Sequence, residues 1–265
     1  MAEYTSERDG PVTVVTIDNP EVGNALSRDA AAAIACVFDE ISSGEAAGEG
    51  VRAVLLRSVG PQFCTGADIR ASSSATRPTN GHMVRGLAAS HHRLIEAVFH
   101  CRVPVVAAVG GAAMGAGLHL ALAADITVAG KRATFKDPFT DRGFSVDSGG
   151  SWLLPRCIGL ARAKQFLYLG VQLDAVTALE WGMLAEVVAD DELDAVARGW
   201  ADRLAARPTQ ALSATKRLLH DSNTITLSDA MHAEAMAVEL TLRSNDFKEG
   251  MTAFAQRRQP DFTGT

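Results

Sequence analysis

Three short segments carry the residue types from which a catalytic site could be built. Phe63-Cys64-Thr65-Gly66-Ala67-Asp68-Ile69 forms a loop after a strand-like run. Gly111-Ala112-Ala113-Met114-Gly115-Ala116-Gly117 joins an apolar run to a helical one. Gly143-Phe144-Ser145-Val146-Asp147-Ser148-Gly149-Gly150 precedes Trp152-Leu153-Leu154-Pro155. In the second segment, small side chains let a ligand approach the backbone, and the first N–H groups of the following helix lack partners inside it. The helix dipole adds partial positive charge at that end. The segment therefore reads as an anion or oxyanion site, although Gly and Ala serve equally for close strand–helix packing. Asp147 offers a carboxylate, but Asp-Ser-Gly-Gly ahead of an apolar helix is also a good capping sequence.

Other chemistries fail on spacing. A dinucleotide fingerprint needs GxGxxG near the first strand, whereas here GxxxGxG lies in mid-chain. GK[ST] is absent, and Gly143-Phe144-Ser145-Val146-Asp147 puts Asp where a serine-hydrolase elbow needs Gly. The histidines show no metal-binding spacing, so no metal is expected. Cys36, Cys64, Cys101 and Cys157 form no CxxC pair and read as reduced cysteines of a cytoplasmic protein. With 25 Lys+Arg against 31 Asp+Glu, the net charge of −6 argues against nucleic acid and anionic membrane surfaces as partners.

The elements that must position these segments follow from periodicity. Residues 12–17 and 51–57 read as strands, and Ser27 as the N-cap of an amphipathic helix. Residues 71–80 have no periodicity and are expected to be mobile, and helical spacing resumes over 82–100. Residues 103–109 form a continuous apolar strand of the kind buried on both faces. The glycine turn, a helix at 116–124 and a strand at 126–128 follow. Residues 103–124 carry no charge, yet Pro104, His119 and four glycines fit strand, turn and buried helix better than a membrane span. Helices are predicted over 191–207, 209–221, 227–241 and 245–256. The division expected is an α/β core over 1–190 and a helical region over 191–265.

Taken together, the three segments resemble the enoyl-CoA hydratase/isomerase (crotonase) family. Asn19-Pro20-Glu21-Val22-Gly23-Asn24-Ala25-Leu26, Ala214-Thr215-Lys216 and the ending from Glu249 to Phe262 extend the match over nearly the whole chain. The resemblance implies a crotonase-like ββα spiral core with a C-terminal helical trimerisation region, in trimers that often pair into hexamers. It implies an acyl-CoA thioester as substrate, with coenzyme A part of that substrate and no separate cofactor. Two backbone N–H groups that polarise the thioester carbonyl fall on Ala67 and Ala116. CoA contacts fall on Val22, Ala25, Ala67, Asp68 and Ile69, while Phe254 and Arg257 would reach a neighbouring subunit's CoA.

Departures from the family then shape the expected reaction. The two glutamates by which family hydratases add water fall on His119 and Phe139, which weighs against an efficient hydratase. Asp147 falls where some family isomerases, the ring-epoxyphenylacetyl-CoA isomerases among them, carry a catalytic Asp. Isomerisation with Asp147 as acid/base is therefore expected, with Phe139, Phe144 and Trp152 as apolar neighbours. His119 reads either as a second acid–base group or as a buried histidine facing a backbone carbonyl. Asp137 and Asp141 read as solvated loop acids. The rivals are a hydratase with His119 or Asp147 replacing the glutamates, and a CoA-thioester-binding protein without catalysis.

Overall fold

A computed structural model describes residues 3–44, 48–68 and 81–265; Ile69 and the segment 71–80 lie outside the described residues. The strands are β1 (Tyr4–Asp9), β2 (Val12–Ile17), β3 (Ala53–Ser58), β4 (Val105–Val109), β5 (Ala112–Met114), β6 (Ile126–Gly130), β7 (Thr134–Lys136), β8 (Gln172–Asp174) and β9 (Glu186–Val188). One sheet has the order β1-β2-β3-β4-β6-β9, parallel except for the β1–β2 hairpin; a second has the order β5-β7-β8. Parallel strands covered on both faces need apolar side chains on both, so Val105–Val109 is buried at every position.

The helices are α1 (Arg28–Ser43), α2 (His82–Ala88), α3 (His91–Phe99), α4 (Ala116–Ala123), α5 (Gly150–Leu169), α6 (Ala175–Trp181), α7 (Leu193–Ala205), α8 (Thr209–Ser222), α9 (Leu227–Thr241) and α10 (Asn245–Gln256). Ser27 caps α1, its hydroxyl accepting from the Ala30 N–H at 3.1 Å. Ile34, Ala35, Phe38 and Ile41 form the buried stripe of α1. Every residue of α4 is buried, which explains its lack of amphipathic pattern. The uncharged stretch 103–124 thus divides into β4, β5 and α4. Among the described residues no helix is long and apolar enough to cross a membrane.

Four features depart from the sequence reading. The polar N-terminus forms β1, an edge strand held by backbone pairing with β2. Residues 82–100 are two helices, broken where Ser90 leaves helical geometry at φ −133°, ψ −97°. The three-residue strands β5, β7, β8 and β9 are too short for alternation to declare them. Finally, α7 lays Leu193, Ala197, Ala201 and Ala205 against Val12, Ala53, Leu55, Val106, Ala108 and Val128 of the sheet. The packed core therefore runs through Ala205 rather than ending at 190.

Candidate active site

The loop after β3 and the turn before α4 are joined by backbone bonds. Phe63 and Cys64 N–H both donate to the Ala112 carbonyl at 3.1 Å, and Met114 N–H donates to the Cys64 carbonyl at 2.9 Å. Leu26 brackets Ala67: its N–H donates to the Gly66 carbonyl at 2.9 Å, and its carbonyl accepts from Asp68 N–H at 2.8 Å. The peptide planes around Ala67 are thereby fixed. Among the described residues, neither the Ala67 nor the Ala116 N–H donates to another backbone group. Ala116 opens α4, where the N–H groups point out of the helix.

Glycine is required for this approach. A Cβ on Gly117 would sit 2.1 Å from the Cys64 carbonyl oxygen, and one on Gly66 2.9 Å from that of Met114 and 3.5 Å from the Ala116 nitrogen. The two expected donors therefore lie on adjoining backbone. Buried Asn24 locks the preceding turn: its amide donates to the carbonyls of Val59 (2.8 Å) and Gln62 (2.6 Å), while its oxygen accepts from Asn19 N–H (2.8 Å). Cys64 is fully buried, and burial pushes its thiol up to about 12, so it stays protonated and is no nucleophile.

Asp147 does not cap α5. The N-cap is Gly149 at φ 82°, without a side-chain cap bond. The carboxylate instead meets His92, with His92 Nε2 at 2.6 Å from Asp147 Oδ1, and it accepts the Ser148 N–H at 2.5 Å. His92 was not foreseen. A His91-His92 pair opening a helix carries no signal linking it to a carboxylate 55 residues on. Its neighbour His91 is buried, which pushes its pKa below the ordinary histidine range, and its Nε2 lies 3.2 Å from the Leu26 carbonyl. Helix α3 thus touches both the Asp147 carboxylate and Leu26, the residue that brackets Ala67.

Two expectations near α4 are corrected. His119 faces a carboxylate rather than a backbone carbonyl: Nε2 lies 3.2 Å from Asp137 Oδ2, with both side chains fully enclosed. That is ion-pair distance, but the geometry misses a hydrogen bond, and the facing atoms have no hydrogen-bond partner among the described residues. Asp137 is accordingly buried, not solvated, and its other oxygen accepts Phe139 N–H at 3.2 Å. Asp141 is the exposed acid, paired with Lys136 at 2.7 Å.

Phe139 stands against Gly115, 3.3 Å from where a Cβ would be, and packs on Phe144 with centroids 5.1 Å apart. Trp152 turns to other partners, Phe99 at 5.1 Å and the Arg156 guanidinium at 3.8 Å. The Asp147 segment is anchored beside α4 because Gly150 packs on His119, where a Cβ would lie 2.3 Å from Nε2.

Of the expected CoA contacts, Val22, Ala25, Ala67 and Asp68 share one loop cluster, tied by Thr65 N–H to the Gly23 carbonyl (3.1 Å) and Thr65 Oγ1 to that of Val22 (3.4 Å). Phe254, 81% exposed, and Arg257, the left-handed C-cap of α10, stand apart, without a hydrogen bond to that cluster among the described residues.

Comparison with known proteins agrees with this geometry. The family described as enoyl-CoA hydratase/isomerase matches residues 7–265. A Rhodobacter capsulatus protein named "Probable enoyl-CoA hydratase" is 36% identical over 255 residues, covering 96% of this chain and 95% of its own. The 1,2-epoxyphenylacetyl-CoA isomerase of Escherichia coli is 35% identical over 255 residues, with the same 96% and 95% coverage. The crystal structure of an enoyl-CoA hydratase from Bacillus anthracis superposes with a TM-score of 0.91 at 26% identity, covering 99% of this chain and 100% of that one.

Proposed function

The chain belongs to the enoyl-CoA hydratase/isomerase family, and within it we propose that this protein shifts the double bond of an enoyl-CoA thioester, with Asp147 carrying the proton. The thioester carbonyl accepts from the N–H groups of Ala67 and Ala116. The Asp147 carboxylate takes the proton from Cα of a 3-enoyl thioester, and the electron pair spreads onto the carbonyl oxygen. The carboxyl then returns a proton at Cγ, leaving the double bond conjugated with the thioester. Nothing is oxidised or reduced, so proton transfer and charge stabilisation suffice without a cofactor.

One observation carries this reading. The two positions onto which the family resemblance places the hydratase glutamates hold His119, enclosed against Asp137, and Phe139, which has no proton to give. Asp147 is the partly open carboxylate, 24% exposed, tethered to the Ala67 side through α3 and to the Ala116 side through Gly150. The hydratase alternative draws on the enclosed His119–Asp137 pair, which would have to open to reach water.

CoA is proposed to lie along Val22, Ala25, Ala67, Asp68 and Ile69. A neighbouring copy in a trimer, or in a pair of trimers, would supply Phe254 and Arg257. Exposed Leu227, Met231, Val238, Phe247 and Met251 on α9 and α10 support that self-association.

Asp147→Asn tests the assignment, because it keeps the shape and removes the base. Turnover of a 3-enoyl-CoA should fall by about 10²–10⁴-fold. In heavy water the wild-type product should gain deuterium and show a migrated double bond. Full turnover by the variant, or a product that has gained water, refutes the isomerase reading; binding without conversion leaves only a thioester-binding protein.

A further inference from the structure

We propose that His92 is a positioning residue for Asp147, holding the carboxylate so that Oδ2 alone is presented to the substrate. The inference rests on the reading of Asp147 as proton carrier. Both hydrogen bonds to this carboxylate land on one oxygen: His92 Nε2 at 2.6 Å and Ser148 N–H at 2.5 Å, each to Oδ1. With Asp147 ionised, Nε2 bears the proton and donates. Oδ2 has no hydrogen-bond partner among the described residues. Oδ1 is thus engaged by two charge-assisted donors and its twin is left with free lone pairs.

The local backbone is arranged for this. Ser148 is one of three described non-glycine residues with positive φ, at 51°, and glycine follows at φ 82°. In that turn the Ser148 N–H meets the side chain before it. His92 is supported by a rigid element, since Leu94, Ile95 and Val98 bury the other face of α3. The same helix meets the Leu26 carbonyl through His91, and Leu26 fixes the peptides on either side of Ala67. One helix therefore sets the proton carrier relative to an oxyanion donor. Such registration matters here because the proton leaves one carbon and returns to another while the enolate oxygen stays in place.

The test compares His92→Phe, which fills the space without a donor, His92→Gln, which keeps an N–H donor, and Asp147→Asn, all on a 3-enoyl-CoA. His92→Phe should lose about ten- to a hundredfold in kcat with KM changed by no more than about twofold, since only the reacting geometry is disturbed. His92→Gln should recover most of that loss. His92 is 40% exposed at its side chain, so the fold should survive; unchanged binding of a saturated acyl-CoA, measured by calorimetry, confirms a competent site. Wild-type kcat in His92→Phe, or equal losses in the Phe and Gln variants, overturns the positioning role while an inactive Asp147→Asn leaves the base assignment standing. Full activity in Asp147→Asn overturns both.

Discussion

Replacing Gly117 by Ala places a methyl carbon 2.1 Å from the Cys64 carbonyl oxygen and 2.7 Å from its carbonyl carbon. Ordinary contact begins near 3.4 Å, so helix and loop must separate by about 1.3 Å. The loop cannot simply recede, because Cys64 donates to Ala112 and accepts from Met114 on the strand leading into the same helix. Stretching the Met114 bond until the buried carbonyl is unsatisfied costs about 1–3 kcal/mol. Overpacking adds about 1–3 kcal/mol, and the better helix propensity of Ala returns up to about 1 kcal/mol. A net loss of about 1–6 kcal/mol corresponds to roughly 2–24 °C in Tm for a chain of this size. Because the strain moves the Ala67 and Ala116 donors apart, kcat should fall by about a hundredfold as well. Gly199→Ala is the control. Gly199 lies inside α7 with nothing within 4 Å of its virtual Cβ, so the change should raise Tm by a few degrees, roughly 2–4 °C at most, and spare kcat. Differential scanning calorimetry and steady-state turnover of an enoyl-CoA read both effects. If Gly117→Ala melts and turns over as wild type, the close-packed oxyanion arrangement is wrong; if it loses stability alone, the donors lie elsewhere.

Two further outcomes follow from single groups. Ala116→Pro deletes one proposed donor at the first helical position, where proline is tolerated, so kcat should drop about a hundredfold or more while Tm changes little; unchanged turnover would remove Ala116 from the site. Cys64 should resist iodoacetamide at pH 8 until the chain is unfolded, whereas exposed Cys36 reacts, as peptide mass mapping would read. The folded pKa of Cys64, about 12, lies above its unfolded value of 9.0, so its contribution is whole below pH 9 and is lost as pH rises towards 12. The alkaline fall in Tm over that window should be smaller in Cys64→Ala, and an identical fall would contradict this linkage.

The sequence declared whatever depends on local pattern. The Ser27 cap, the strand Val12–Ile17, and α9 and α10 stand where periodicity and capping chemistry predict them. β1 escaped because an edge strand reading Ser6-Glu7-Arg8-Asp9 is paid in backbone bonds, not burial. The Ser90 break escaped because apolar spacing continues through it, and α7 was counted with the tail because its apolar face says nothing of what it meets. The same division holds at the site. Ala67 and Ala116 were named through the family resemblance, and the glycines the close approach requires bring their two segments onto adjoining backbone. The contacts of Asp147 with His92 and of His119 with Asp137 were not legible, since side chains far apart in the chain meet only after α3, α4 and the 137–150 segment have packed.

That division bears on chemistry as well as on prediction. An oxyanion hole made of backbone N–H groups is fixed by glycine geometry and indifferent to side-chain replacement nearby, so the scaffold can keep it while the proton-handling residues change. The relatives' names are consistent with this: proteins 36% and 35% identical to the chain carry hydratase and isomerase names respectively. Under the proposed assignment, what separates the reactions is which carboxylate keeps a free oxygen for the thioester. Asp137 is spent on His119 and Phe139, buried beyond the reach of solvent. Asp147 has one oxygen occupied and one open. A net charge of −6 does not oppose binding of a phosphorylated substrate at such a site, because fixed N–H dipoles act at contact distance where the charge of the whole chain is screened. Under the proposed assignment the reaction is therefore decided less by the fold than by the disposition of two aspartates ten residues apart, one locked away by a histidine and one held ready by another.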